Sequence, residues 1–128
     1  MREKSVFTSR IKTKKLLEFA LSKKPKEPLV LELRGLNLIW DYFIIVTAEA
    51  PTHNEAILEE LIKKSKEKGF DIHHIEKDSE GGWTLVDYFD VAFHIFSEEK
   101  RNFYRLEKLF KKARKVNFRF KSVWEKEA

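Results

Sequence analysis

Tyr42-Phe43-Ile44-Ile45-Val46-Thr47 carries no charge and places four β-branched side chains in a row. A strand with one wet face alternates polar and apolar residues, so an unbroken run of this kind suits a strand covered on both faces. Such a strand needs helices packed on its sheet, and the flanking sequence supplies them. Downstream, Ile57, Leu58, Leu61 and Ile62 recur at helical spacing, and Gly69 is placed to stop that helix. Thr52 with Glu55 three residues on reads as its capping box, preceded by Pro51. Upstream, Leu29-Val30-Leu31-Glu32-Leu33 reads as a buried strand. Before it, Leu16, Leu17, Ala20 and Leu21 mark a helix ended by Pro25 and Pro28.

Residues 70–76 form a further expected strand and Gly81-Gly82 a turn. Trp83 to Tyr88 and Val91 to Phe96 read as antiparallel strands joined at Phe89-Asp90. Ser97, with Glu98 and Glu99 in the first turn, opens a last helix running to about Lys111-Lys112. The order α-β-β-α-β-β-β-α predicts an α/β fold, a mixed β-sheet of about five strands flanked by helices. The 128 residues fit one domain, with a core over about 29–112, a basic N-terminal helix over 5–24 and a basic tail over 113–128. In that tail Val116, Phe118 and Phe120 alternate with Asn117, Arg119 and Lys121, the period of an edge strand or a docked arm.

With eleven Phe, three Trp and three Tyr, the chain is too aromatic to stay disordered. It has no Cys, which excludes disulfides and thiolate zinc sites. No apolar run approaches the roughly 20 residues of a membrane span, and the N-terminus has no signal-type apolar core, so the expected location is the cytoplasm. The net charge of +5 hides a segregation. Residues 1–28 carry nine basic and three acidic side chains, residues 29–99 six and fifteen, and residues 100–128 eleven and three. An acidic centre between two basic ends has the polarity for two different contacts.

No catalytic motif is present: no P-loop, no GxGxxG, no nucleophile elbow. His73 and His74 are neighbours on a strand and point to opposite faces, so they do not share a metal. His94, close to Asp87 and Asp90, reads as a buried, hydrogen-bonded histidine rather than a general base. Asp41, Asp87 and Asp90 have the chemistry of a phosphoryl-transfer site but lack a phosphate loop or an Asp-x-Asp pair. The expectation is a protein without catalytic residues, cofactor or metal.

The aromatic residues are more informative. At 100° per residue, Phe103, Leu106, Leu109, Phe110 and Ala113 share one arc of the last helix, its expected core face. Tyr104 lies opposite, among Arg101, Glu107, Lys108 and Lys111, where the fold does not need it; this is the position of an interface anchor. In the strand from Trp83, the side chains of Trp83, Leu85 and Asp87 face one way and those of Thr84, Val86 and Tyr88 the other. Both faces are apolar, so the strand is internal or contacts a partner on one side.

Three blocks carry a family resemblance. The first is Leu33-Arg34-Gly35-Leu36 followed by Asp41-Tyr42-Phe43-Ile44-Ile45. The second is Trp83 to Tyr88 continuing into Asp90-Val91 and His94-Ile95-Phe96. The third is Glu99-Lys100-Arg101 with Phe103 to Leu109. Together they span about eighty residues and resemble the ribosomal silencing factor, or Iojap, family. The pattern of the family has Gly where this chain has Phe89, which argues against a glycine-type turn there, and Trp where it has Phe110. The resemblance implies a nucleotidyltransferase-like fold without catalytic residues. It also implies docking on the large ribosomal subunit at ribosomal protein L-fourteen, so that the small subunit is kept from joining, and a possible part in large-subunit maturation. The implied contact set is Trp83, Leu85, Asp87, Tyr88, Asp90, His94, Arg101, Tyr104, Glu107 and Lys108, with Asp87, Asp90 and Glu107 as acceptors for a basic partner. The basic ends would lie against ribosomal RNA, and the free protein would pair as a homodimer. Two rivals are a general RNA-binding module stacking bases on Phe118, Phe120 and Trp124, and a nucleotidyltransferase-like enzyme.

Overall fold

A computed structural model describes residues 2–120 of the chain, with side chains from Ser9 onward. Its elements run α1 (Arg2–Leu21), β1 (Lys26–Glu32), β2 (Tyr42–Ala48), α2 (Pro51–Lys68), β3 (His74–Lys77), β4 (Trp83–Asp87), β5 (Val91–Ser97), α3 (Glu98–Tyr104), α4 (Leu106–Leu109) and β6 (Arg114–Lys115). The α/β fold expected from the sequence is present, with six strands where about five were expected. They form one sheet in the order β3-β4-β5-β2-β1-β6. Only β2 and β5 are parallel, Ile44 opposite Phe93 and Val46 opposite Ile95; all other pairs are antiparallel. Every residue of β2 is buried, as its unbroken apolar run requires.

The two long helices lie on the same face of the sheet. There Val30, Tyr42, Ile44, Val46, Val86, Tyr88, Val91, Phe93 and Ile95 meet Leu16, Leu17 and Ala20 of α1 and Ile57, Leu58 and Leu61 of α2. Ile62, expected in this stripe, is exposed. The contact stripe of α1 continues upward through buried Ser9 and Thr13, which a hydrophobicity pattern does not register. Ser9 Oγ donates to Asp41 Oδ2 at 3.0 Å, and Thr13 Oγ1 returns its proton to the Ser9 carbonyl four residues back. Asn54 of α2 bridges two strands inside the core, donating to the Ile95 carbonyl and accepting from Thr84 Oγ1 at 2.7 Å.

Both ends of α2 are informative. Gly69 takes φ +77°, its N–H reaches the Lys66 carbonyl and the Phe70 N–H the Ser65 carbonyl, the Schellman stop that the glycine predicts. The start differs from the expected capping box. Ala50 is the N-cap, Pro51 the first helical residue, and Thr52 lies inside the helix without a capping bond. Proline's φ is already helical and it has no N–H to satisfy, so it takes the first position. Glu55 turns away to Lys77 Nζ at 3.1 Å.

The second face carries Leu31, Phe43, Ile45, Ala92, His94 and Phe96, with Trp83 and Leu85 at its margin. Its cover is thin: Leu36 and Trp40 from the loop after β1, then Leu106, Phe110 and Ala113. The single last helix expected here is broken. Arg105 adopts φ +49°, ψ +57°, ending α3 and starting the one-turn α4. The break accompanies a buried charge. The Arg101 guanidinium lies in the interior, donating to the Glu27 carbonyl, to Thr47 Oγ1 at 2.9 Å and to Glu107 Oε2 at 3.4 Å. Residues six apart on a straight helix lie about 120° and 9 Å from each other, so only a turn at Arg105 brings Glu107 to Arg101. The cost is the expected core arc: Leu106 stays buried, but Phe103 is 76% and Leu109 72% exposed.

The turn joining β4 and β5 also departs from expectation. Phe89 takes φ +77°, so a glycine-type turn forms here with a bulky residue in it. Its N–H is held by Asp87 Oδ1 at 2.8 Å and its ring lies 4.3 Å from that of His73.

Two stability measurements follow. Arg101→Leu strips Glu107, Thr47 and the Glu27 carbonyl of their shared donor and is expected to cost about 3 kcal/mol in urea unfolding; a loss below about 0.5 kcal/mol contradicts this account. Phe89→Gly is expected to be more stable than Phe89→Ala by about 1 kcal/mol, since both lose the ring and only glycine adopts this φ freely. Equal melting curves for the two would show that the turn carries no strain.

Candidate functional site

The site is built where cover runs short, over the outer strands of the second face. Trp83 opens β4 immediately after a tight approach of backbone to helix. A Cβ on Gly82 would meet Lys100 Cγ at 2.8 Å, and the Ser97 N–H donates to the Gly82 carbonyl at 2.8 Å. Asp78 Oδ1 accepts from the N–H groups of both Gly82 and Trp83, at 2.7 and 3.2 Å. Lys100 Nζ closes the corner on Glu80 Oε1 at 3.0 Å, and these carboxylates raise its pKa above the ordinary lysine value. The first turn of α3 is thereby fixed against the start of β4.

This places aromatic rings together. Trp83 stacks on Phe96 at 5.0 Å and meets Tyr104 at 4.7 Å; Tyr104 meets Phe103 edge-on at 5.0 Å. Tyr104 is 40% exposed. A shallow groove beside Trp83 and Leu85 runs to Glu76, Lys77 and Asp78. At the other end of the row, Asp87 Oδ1 accepts from Trp40 Nε1 at 3.4 Å, and the loop before Trp40 exposes Leu38 and Ile39, the latter by 81%. Large apolar side chains left in water next to one another are the mark of a contact surface.

The structure sorts the expected contact residues. Trp83, Leu85 and Tyr104 converge on this face, and Lys108 is exposed. Tyr88 does not: it is fully buried on the helix-covered face, its hydroxyl 2.8 Å from Ser65 Oγ, and burial pushes its pKa up to about 12. Arg101 is the buried pin described above, its Nε and Nη1 donors spent inside the fold. Each of the three expected acceptors is held within the fold through one oxygen: Asp87 Oδ1 by Trp40 and Phe89, Asp90 Oδ1 by Lys12 Nζ at 2.7 Å, and Glu107 Oε2 by Arg101. Aspartates that look free in a sequence stabilise the turn and loop that contain them. Phe103 joins the surface beside Tyr104; Leu109, Leu38 and Ile39, exposed elsewhere, are equally unexpected. The first two were assigned to a core face that a helix break removed, and the last two stand in a loop whose exposure no periodicity reveals.

His94 is the buried, hydrogen-bonded histidine expected. Trp83 Nε1–H donates to its Nδ1 at 3.2 Å, so the imidazole proton sits on Nε2, which has no hydrogen-bond partner among the described residues. Phe43 lies edge-on at 4.6 Å. It serves as the floor under Trp83 and has no surface for a partner to touch. Asp41 is taken by Ser9, and among the described residues no group of three His, Cys, Asp or Glu is placed to hold a metal ion. No helix among them is long and apolar enough to cross a membrane.

Burial lowers the His94 pKa from 6.5 to about 3. The unfolded chain therefore takes up a proton that the fold refuses, and stability present above pH 6.5 is lost as pH falls toward 3. Between pH of about 7 and about 4.5 the protein is expected to lose on the order of 2 kcal/mol more than His94→Gln. Parallel urea-unfolding curves for the two across that range would refute the neutral, buried assignment.

Comparison with known proteins places this arrangement in context. The sequence model described as "ribosomal silencing factor during starvation" matches residues 7–128. The ribosomal silencing factor of Halalkalibacterium halodurans is 34% identical over 99 residues, 74% of this chain and 85% of that protein. That of Bacillus subtilis is 34% identical over 88 residues, 69% of this chain and 75% of the relative. The chloroplastic protein Iojap of Zea mays is 33% identical over 91 residues, 71% of this chain and 40% of its own length. A crystal structure of a Chromobacterium violaceum protein superposes with a TM-score of 0.74 at 27% identity, covering 87% of this chain and 92% of the other. One from Bacillus halodurans gives 0.68 at 31% identity, covering 82% and 99%. The match extends past the eighty residues of the three sequence blocks into both basic ends, and with the shared fold it shows that this chain belongs to the ribosomal silencing factor family.

Proposed function

We propose that this protein silences translation by binding the large ribosomal subunit. In this reading it docks through the aromatic face onto ribosomal protein L-fourteen and, once seated at the intersubunit surface, blocks joining of the small subunit. The observation that carries the proposal is the contact of Trp83 with Tyr104 at 4.7 Å, extended outward by Phe103, on the side of the sheet left without a long helix. Aromatic side chains with apolar area and few rotamers are the residues that dominate binding energy when a partner covers them. Exposed Glu76, in the groove beside Trp83 and Leu85, suits a basic partner, steering association more than adding affinity. Asp87, Asp90 and Glu107 serve the fold in this scheme, not the contact. The mechanism makes and breaks no covalent bond. It needs a rigid face, a complementary partner and enough bulk to occupy the space of the incoming subunit. The same binding is compatible with a late step of large-subunit maturation, and the uncovered face is available to a second copy when the subunit is absent.

Sedimentation of ribosomal subunits tests this directly. The protein is expected to comigrate with the large subunit and to reduce the joined particle. Tyr104→Ala is expected to weaken that binding on the order of 10- to 100-fold, at a cost of no more than about 1 kcal/mol in stability. Wild-type protein remaining at the top of the gradient would refute the proposal, and undiminished comigration of the variant would remove Tyr104 from the contact.

A further inference from the structure

The two basic ends are remote in sequence and adjacent in space. The tail returns to the sheet, Lys115 opposite Leu31 and Arg114 opposite Glu32, and the Val116 N–H donates to the Val30 carbonyl at 2.9 Å. Phe118 and Phe120 then turn inward onto the core beneath α1. Two cations of that helix cover them: the Arg10 guanidinium lies 5.3 Å from the Phe118 ring centre and Lys14 Nζ 5.8 Å from that of Phe120. Arg10 and Lys14 are four residues apart and so share one helix face. Asn117 and Arg119, out of phase with the aromatic residues, point outward. Among the described residues no carboxylate lies within ion-pair distance of Arg114, Lys115 or Arg119, and Glu32, the one acid beside them, is held by Arg34 at 3.3 Å.

We infer that this cationic edge, formed by Arg10, Lys14, Arg114, Lys115 and Arg119, binds the phosphate backbone of structured RNA. The inference rests on the ribosomal reading above and names the second surface that such a binder uses. Phosphate rather than base is the recognised group, because Phe118 and Phe120 are packed inward and capped by cations, while Trp124 lies outside the described residues. Here Phe118 and Phe120 stabilise and orient the cations. Guanidinium groups on an edge strand and an adjoining helix offer forked donors to phosphate oxygens, with affinity that depends on salt and little on sequence. The edge is also separate from the aromatic face. Three strands, β5, β2 and β1, lie between β4 and β6, a centre-to-centre span of roughly 19 Å, so a protein neighbour and an RNA segment are contacted together. Two weak contacts on one rigid body then act as a tight one.

Arg114→Gln, Lys115→Gln and Arg119→Gln combined remove three exposed charges and should leave the melting temperature unchanged. Binding of wild type, this variant and Tyr104→Ala is measured on purified large subunits and on protein-free large-subunit RNA, at potassium chloride from about 50 to about 200 mM. On subunits the triple variant is expected to bind about 10-fold more weakly, with a slope of log affinity against log salt shallower by about 2, while Tyr104→Ala keeps the wild-type slope. Wild type is expected to bind the bare RNA with a salt dependence that the variant loses and that Arg114→Lys with Arg119→Lys retains. Identical slopes for wild type and triple variant overturn the inference and leave the docking proposal standing. Failure of wild type to bind subunits removes that proposal, and the bare RNA still decides this one. Binding to vesicles containing phosphatidylserine but not to RNA would assign the edge to a lipid surface and overturn it.

Discussion

The parallel pair β2 and β5 is apolar on both sides and has to be covered twice, and the described residues include two long helices to do it. Both go to one face. The other receives a loop, a seven-residue helix and a single further turn, held down by the Arg101 guanidinium between the Glu27 carbonyl, Thr47 and Glu107. A buried cation of this kind strands its acceptors when it alone is removed, and it permits few arrangements around it. Its bond to Glu107 accompanies the break of the last helix at Arg105, which turns Phe103 and Leu109 outward. The uncovered strip at Trp83 and Leu85, and the aromatic side chains that border it, follow from that unequal division of cover.

The face that results is rigid rather than reactive. Gly82 lets the β4 strand start against α3 with almost no gap, and His94, kept neutral by burial, accepts the Trp83 indole proton from beneath. Carboxylates that might have formed a catalytic group are spent separately, Asp41 on Ser9, Asp87 on Trp40 and Phe89, Asp90 on Lys12. Such a surface can bind and occupy space, which suits the proposed mode of silencing. The cationic edge at β6 adds a second, differently charged contact on the opposite flank of the same sheet.

Much of this was legible in the residues. The strands at 29–33, 42–47, 83–88 and 91–96 were read close to their bounds, because strand periodicity and an unbroken apolar run depend only on side-chain alternation and burial. Gly69 as the stop of α2 and Tyr104 as an aromatic outside the core are legible for equally local reasons, while the sequence leaves Trp83 open between core and contact. The errors share a cause. The helical wheel assumed a straight axis past Arg105, the capping box ignored that Pro51 starts a helix by itself, and the turn at Phe89 was expected to avoid a left-handed backbone. Tyr88 was included because its block carries the family pattern, while its alternation with Trp83 already pointed it to the other face.

The sequence alone determined the α/β class, the order of the elements, the apolar centre of the sheet and the family, since each is encoded by short-range spacing or by blocks of matching residues. Tertiary structure decided which face went bare, which carboxylates were already bonded and that two basic ends a hundred residues apart, at Lys14 and Arg114, form one edge. Those outcomes depend on where a buried guanidinium finds its acceptors and how a tail closes on the first helix. Both are long-range balances of burial against satisfied hydrogen bonds, and no local pattern records them.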